Sequence, residues 1–299
     1  MHRRLTVFAV AVTTVLAAGC AASSGGGTRA GGGSPPSPGS SGSSKSTAGK
    51  QCTPATLHTE KPGELTVATD SPAYPPWFIN DKPSNGKGFE SAVAYAVAKQ
   101  LGYSHSKVTW TVEPFNSVIA PTPKHFDFDI NEVSITPQRA QAVDFSSGYY
   151  DVAQAIVALK SNKYANAKTV AALRGARLGA QQGTTSFDAI NTDIKPTTNP
   201  LEYPTNILAV QALKNGTIDG LVVDLPTALY ITAAQVHGSK IVGQLPVHGK
   251  PEQFGLVLDK GSSLTPCVTQ AVNALRKNGT LAKLQKRWLT SAAGAPVLH

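Results

Sequence analysis

Asp129-Ile-Asn-Glu-Val-Ser-Ile-Thr-Pro-Gln-Arg-Ala-Gln-Ala-Val-Asp-Phe-Ser-Ser-Gly-Tyr-Tyr-Asp-Val-Ala-Gln-Ala-Ile-Val-Ala-Leu159 decides the fold class. Its first seven residues are β-prone and predict a strand over 129–135. Thr136-Pro137 fits an N-cap followed by proline at the first helical position, where a missing N–H costs nothing. Residues 152–159 form a long apolar run suited to a buried strand.

The same alternation extends in both directions. Residues 64–69 alternate polar and apolar and predict a strand. From Gly88 the apolar positions Phe89, Ala92, Val93, Ala96, Val97 and Leu101 recur at helical spacing and stop at Gly102. Residues 108–112 read as another strand. The pattern restarts with a strand at 176–180, Gly183-Thr-Thr-Ser186 before a helix, a helix over 207–214 ended by Asn215-Gly216, and strands at 218–223 and 253–258. Two helices close the chain, striped by Val268, Ala271, Val272 and Leu275, then by Leu281, Leu284, Trp288 and Leu289. Strand–helix alternation in two runs predicts an α/β protein of two lobes with mainly parallel sheets.

Composition agrees. The 299 residues are 41% hydrophobic and 15% charged, enough for a packed core. The formal charge is +9, but Arg3, Arg4, Arg29, Lys45 and Lys50 precede residue 51, a stretch without acidic residues. The body beyond is mildly basic, with charges of both signs interleaved. That excludes the clustered basic stripe of a nucleic-acid binder.

Residues 1–19 carry Arg3 and Arg4, an apolar stretch and then Ala17, Ala18 and Gly19, the layout of a signal peptide. Cys20 follows at once, which resembles a bacterial lipobox. It predicts lipidation of Cys20 and anchoring to the outer face of the cell membrane; an ordinary cleaved signal with an incidental cysteine is the alternative. Residues 21–50 contain nine Gly, nine Ser and three Pro. Residues 20–51 therefore read as a flexible, disordered tether of ~30 Å root-mean-square span. Export implies an oxidising compartment, so Cys52 and Cys267 are either a disulfide or two separate buried thiols.

No phosphate-binding glycine loop, dinucleotide fingerprint, nucleophile elbow or metal-ligand spacing occurs in the sequence. No cofactor or metal is expected, and binding is a better default than catalysis.

Ser134-Ile-Thr-Pro-Gln-Arg-Ala-Gln-Ala-Val-Asp-Phe-Ser-Ser-Gly-Tyr-Tyr150 resembles a segment of the solute-binding proteins of ABC importers, more narrowly those for polar amino acids. Ala68-Thr-Asp-Ser-Pro-Ala-Tyr-Pro-Pro-Trp77, Gly88-Phe-Glu90, Gly179-Ala-Gln-Gln-Gly-Thr-Thr185 and Asn215-Gly-Thr-Ile-Asp-Gly-Leu-Val-Val-Asp224 extend the resemblance over most of residues 64–290. It implies a two-lobed periplasmic-binding-protein-like (type II) fold with two crossover strands. Lobe 1 would hold 52–157 and 254–299, and lobe 2 would hold 158–253. The lobes would close around a ligand by hinge motion, with Cys52 and Cys267 both in lobe 1.

The resemblance also implies a site. Arg139 would take the ligand carboxylate, a task that suits a guanidinium because it offers two parallel bonds. Asp224 would take the ammonium; a helix N-cap before Pro226 is its other reading. Ser134 would contact the ligand through its hydroxyl or backbone, Thr184 and Thr185 would finish the carboxylate site from lobe 2 with backbone N–H and hydroxyl, and Tyr74 and Phe115 would wall the side chain, with Trp77 either a further wall or a core residue. Glu132 stands where family members often have a small residue, and Ala92 where they often have an acidic one. Glu132 either meets a cationic or hydrogen-bonding ligand group or turns to solvent at the rim. The implied partners are a free amino acid, an ABC permease with its ATPase, and the membrane through the lipid; the protein would be a monomer that binds no nucleic acid. An exported dehydratase of prephenate-like acids, with Glu132 as its acid–base group, and an anchored ligand sensor are the alternative functions.

Overall fold

A computed structural model of the chain describes residues 52–289 and 295–299. The signal peptide, Cys20 and the tether lie outside the described residues. In chain order the strands are β1 (Leu65–Thr69), β2 (Val108–Val112), β3 (Phe128–Asp129), β4 (Asp144–Phe145), β5 (Tyr150–Val152), β6 (Gln154–Leu159), β7 (Leu178–Gln181), β8 (Leu201–Tyr203), β9 (Gly220–Asp224), β10 (Ser239–Gln244), β11 (Glu252–Phe254) and β12 (Val257–Leu258). The helices are α1 (Phe89–Gln100), α2 (Phe115–Ile119), α3 (Arg139–Ala142), α4 (Thr185–Ala189), α5 (Asn206–Lys214), α6 (Leu225–Tyr230), α7 (Thr265–Lys277) and α8 (Thr280–Trp288). Among the described residues no helix is long and apolar enough to cross a membrane.

Two five-stranded sheets form, in the orders β2-β1-β3-β12-β4 and β10-β6-β9-β7-β8. Each is mixed. In the first, β1 runs parallel to β2 and β3, while β12 is antiparallel to β3 and β4. In the second, β7 is parallel to β8 and β9, while β6 is antiparallel to β9 and β10. A separate antiparallel ribbon of β5 and β11 lies between them in the chain path. The chain leaves the first sheet through β5 into β6 and returns through β11 into β12, so two strands cross between the lobes.

The apolar strands are apolar because both faces are covered. In β6, Ala155 and Val157 pack with Ala209, Leu213 and Ala228 of α5 and α6. The alternate residues Ile156 and Ala158 pack with Leu173, Ile190 and Ile194 on the opposite face. All five residues of β1 are buried as well. Thr66, one of the two threonines that make it read as half-exposed, is satisfied internally: its N–H donates to Asp127 at 2.6 Å, and its Oγ1 lies 3.3 Å from Thr109 Oγ1. Removing each large aliphatic side chain from water contributes ~1.5–3 kcal/mol, and in the first lobe α1, α7 and α8 supply most of that cover. Cys52 and Cys267 form a disulfide that ties the start of the folded body to α7.

Five expectations need correction. The strand expected over 129–135 ends at Asp129, because Glu132 takes φ +53 and breaks the extended backbone; Ser134 then pairs only as an isolated bridge with Phe254. The run 152–159 and the strand 253–258 are each two strands, interrupted at Ala153 and at Gly255-Leu256 where the chain passes between sheets. The crossing therefore falls before Gln154, not after residue 157. Finally, residues 295–299 lie on the second lobe, not the first. Val297 bridges Gln244 of β10, Gln244 Nε2 donates to the Ala295 carbonyl at 2.6 Å, and Leu298 is buried in that core.

Candidate functional site

The two lobes enclose a cleft of ≈ 770 Å³, open mouth included. Asp70, Tyr74, Phe115, Asn131, Glu132 and Arg139 line it from the first lobe. Gln181, Thr184, Thr185, Asn206, Ile207 and Asp224 line it from the second.

Arg139 opens α3 and is only 8% exposed. Thr136 Oγ1 accepts the Arg139 N–H at 3.1 Å, but α3 takes Gln138 as its N-cap, so Pro137 precedes the helix instead of opening it. Nη1 donates to the Ser134 carbonyl at 2.7 Å, and Nη2 reaches the Gly183 carbonyl of the second lobe at 2.8 Å. The guanidinium carbon stands 5.4 Å from the centre of the Phe115 ring, near enough for a cation–π contact. A guanidinium has more N–H donors than two carbonyls use, so Arg139 keeps donors for a carboxylate.

Asp224 ends β9 at the N-cap position of α6, but its side chain makes no cap bond. It accepts instead from Gln154 Nε2 at 2.8 Å. Burial drives its pKa well up and Glu252 adds to that, while Gln154 and Arg139 pull it down. A cation arriving in the cleft would relieve that burial cost. Arg139 and Asp224 thus sense one another's charge across one cavity.

Glu132 does not turn to solvent. Its Oε2 accepts from Thr227 Oγ1 at 2.8 Å, and that oxygen accepts from Trp77 Nε1 at 2.8 Å. The left-handed backbone at Glu132 is held from behind, where its N–H donates to Glu90 Oε1 at 2.7 Å. Glu90 is fully buried and also accepts the Tyr149 hydroxyl; burial pushes its pKa up to about 7. Burial likewise raises Glu132 well above the carboxylate range, with Glu90 and Asp224 adding to it. Asp70 is raised by burial against the N–H groups of Ser71 and Phe115. The cleft therefore has one guanidinium facing an acidic wall of Asp70, Glu132 and Asp224.

A model of the bacterial extracellular solute-binding proteins, family 3, matches residues 65–291. The chain belongs to that family. The ABC transporter arginine-binding protein 1 of Escherichia coli (strain K12) is 31% identical over 229 residues, spanning 73% of this chain and 88% of the relative. Among solved structures, an ancestral arginine-binding protein bound to glutamine is 32% identical with a TM-score of 0.63, covering 75% of this chain and 97% of that one. AncCDT-1, an ancestral amino acid-binding protein and precursor of cyclohexadienyl dehydratase, is 30% identical with a TM-score of 0.62 over 75% of this chain and 94% of that one.

Against the expected site of a family 3 solute-binding protein, the structure sorts the residues. Arg139, Asp224, Glu132, Tyr74, Phe115, Thr184 and Thr185 all line the cleft. The Thr184 hydroxyl is occupied in capping α4, accepting from the Phe187 N–H at 3.2 Å and donating to the Gln181 carbonyl at 2.6 Å. Ser134 is 1% exposed, and its hydroxyl points to Glu252. Trp77 is 1% exposed and packs against Tyr150 and Phe254 at 5.8 and 5.7 Å. It borders only a smaller neighbouring cavity shared with Tyr74 and Tyr230, so it is mainly a core residue. Sequence reasoning misses Asp70 and Glu90, although both sit inside motifs quoted above. Gln154, Thr227 and Glu252 enter through contacts distant in sequence, and no local pattern marks them.

Proposed function

We propose that this protein is the substrate-binding component of an ABC importer, capturing a free α-amino acid between its lobes and delivering it to a membrane permease. Arg139 grips the ligand carboxylate and Asp224 the ammonium. Tyr74 and Phe115 flank the side chain, and Glu132 with Asp70 favours a cationic or strongly hydrogen-bonding end. The observation that carries this reading is the placement of Arg139 and Asp224 on one cavity, from opposite lobes. Taking both ends of a zwitterion out of water is unfavourable unless each meets an opposite, hydrogen-bonded partner. Ligand contacts made by both lobes stabilise the closed form, which is the whole mechanism. The protein is proposed to act as a monomer, tethered outside the cell by lipid on Cys20, without cofactor.

Native mass spectrometry of the purified protein identifies any co-purifying ligand, and a thermal-shift panel of the amino acids ranks them, since a ligand of the native state alone raises Tm. A panel in which no amino acid moves Tm would sink the reading.

A second reading has one observation in its favour. A carboxyl whose pKa is raised, as at Glu132, is what an acid catalyst on this fold would require, and AncCDT-1 is similar to this chain. Incubation with prephenate, followed by absorbance of an aromatic product, separates a dehydratase from a binding protein.

A further inference from the structure

Glu252 lies outside the cleft lining, on the β11 strand of the crossover ribbon and on a second cavity at the back. Its carboxylate joins three elements. Oε1 accepts the hydroxyl protons of both Ser134, from the first lobe, and Thr185, from the start of α4 in the second. Oε2 accepts from Gln154 Nε2 at 3.1 Å. The same Gln154 nitrogen holds Asp224, while Gln154 Oε1 accepts the Ser186 hydroxyl at 2.6 Å.

A carboxylate accepts and a hydroxyl has a single proton to give. Once Ser134 and Thr185 have both donated to Oε1, each has only lone pairs left. Their oxygens stand 3.3 Å apart, a contact with no proton of its own. Thr185 faces the cleft beside Asp224, so its hydroxyl can receive N–H groups and cannot donate to a carboxylate. This reverses the polarity expected for the Thr185 hydroxyl. We infer that Glu252 is a positioning residue which, by taking the hydroxyl protons of Ser134 and Thr185 and steering Gln154 onto Asp224, makes this corner the ammonium end of the site and leaves the carboxylate to Arg139. The inference rests on the amino-acid-binding reading and adds the residue that orients the zwitterion.

The test uses titration calorimetry on the full folded body with L-arginine and L-glutamine, each beside its desamino counterpart, which keeps the carboxylate and side chain and has hydrogen in place of the ammonium. Glu252→Leu, which has no acceptor for the two hydroxyls or for Gln154, is expected to weaken the better-binding amino acid at least tenfold and its desamino counterpart less than twofold. Thr185→Val is expected to show the same split, and Thr185→Ser to restore binding. The Glu252→Leu, Thr185→Val double variant should lose no more than the worse single one, since both changes remove one device. Equal losses with both ligand types, or additive losses in the double variant, would mean that Glu252 is only structural. If Glu252→Leu fails to fold, Ser134→Ala and Thr185→Val give the same comparison. A wild-type protein that binds neither amino acid sinks the function and this inference together; wild-type binding with equal losses sinks this inference alone.

Discussion

The Arg139 guanidinium of the first lobe donates to the backbone carbonyl of Gly183 in the second at 2.8 Å. One side chain therefore joins the two halves of the cleft, and under the proposed function the same side chain holds the ligand carboxylate. Arg139→Ala leaves the carbonyls of Ser134 and Gly183 without this donor and removes the partner of a ligand carboxylate. Truncating one member of a buried charge pair typically costs about 2–5 kcal/mol of binding. Calorimetry should find a loss of that order for the amino acid that wild type binds best, and near-wild-type affinity would remove Arg139 from the site.

Gly183 has φ +73, and a Cβ there would sit 2.8 Å from Asn116 Oδ1 of α2. The left-handed backbone favours glycine, and a Cβ would push the Asn116 side chain aside. Gly183→Ala should weaken ligand binding more than it lowers the apo-protein Tm. Asn116→Ala in the same chain should recover part of the affinity by clearing the space, and failure to recover any would mean that backbone strain alone is responsible.

Glu90 makes stability depend on pH. Its pKa rises from 4.5 unfolded to about 7 folded, so the folded protein holds this proton more tightly. That contribution is complete below about pH 4.5 and disappears as pH climbs through 7, on the order of 3 kcal/mol at most. Asp127, pushed up to about 6 by burial, acts in the same direction. Wild-type Tm should fall between pH 5 and pH 8. Glu90→Gln, whose amide oxygen can still accept from Tyr149 and the Glu132 N–H, should flatten the slope, and an unchanged slope would acquit Glu90.

The Cys52–Cys267 disulfide closes a loop across most of the folded body, with a sequence separation of 215. Losing such a bridge typically costs about 2–5 kcal/mol. Cys52→Ser should lower Tm by several degrees while leaving ligand affinity nearly intact, because neither cysteine lines the cleft. A matching drop in affinity would show that the bridge also shapes the site.

How far the sequence could be read follows from how local each determinant is. The helix expected at 207–214 is α5 to within one residue, since its cap, stripe and stop are all local. The strand through 129–135 was drawn too long because nothing in β-propensity discloses that Glu132 must take a left-handed backbone. That conformation is held by Glu90, a distant partner. Arg139, Asp224 and Glu132 were legible because they sit inside motifs. Glu252 was not, because its importance comes from meeting Ser134, Thr185 and Gln154, which are brought together only by the crossover. The resemblance leaves Trp77 open between ligand wall and core, and the structure spends it on the core. Exposed β8 has two exposed residues of three, too little burial to imprint a pattern.

The paired strands β5 and β11 have a mechanical corollary. Two hydrogen-bonded strands act as a leaf spring, stiff within their plane and compliant across it, so any swing of the halves is confined to something close to one rotational degree of freedom. Side chains rooted at such a pivot travel least. Glu252 is rooted there, so the lever arms on either side can sweep while their fulcrum keeps its bearings.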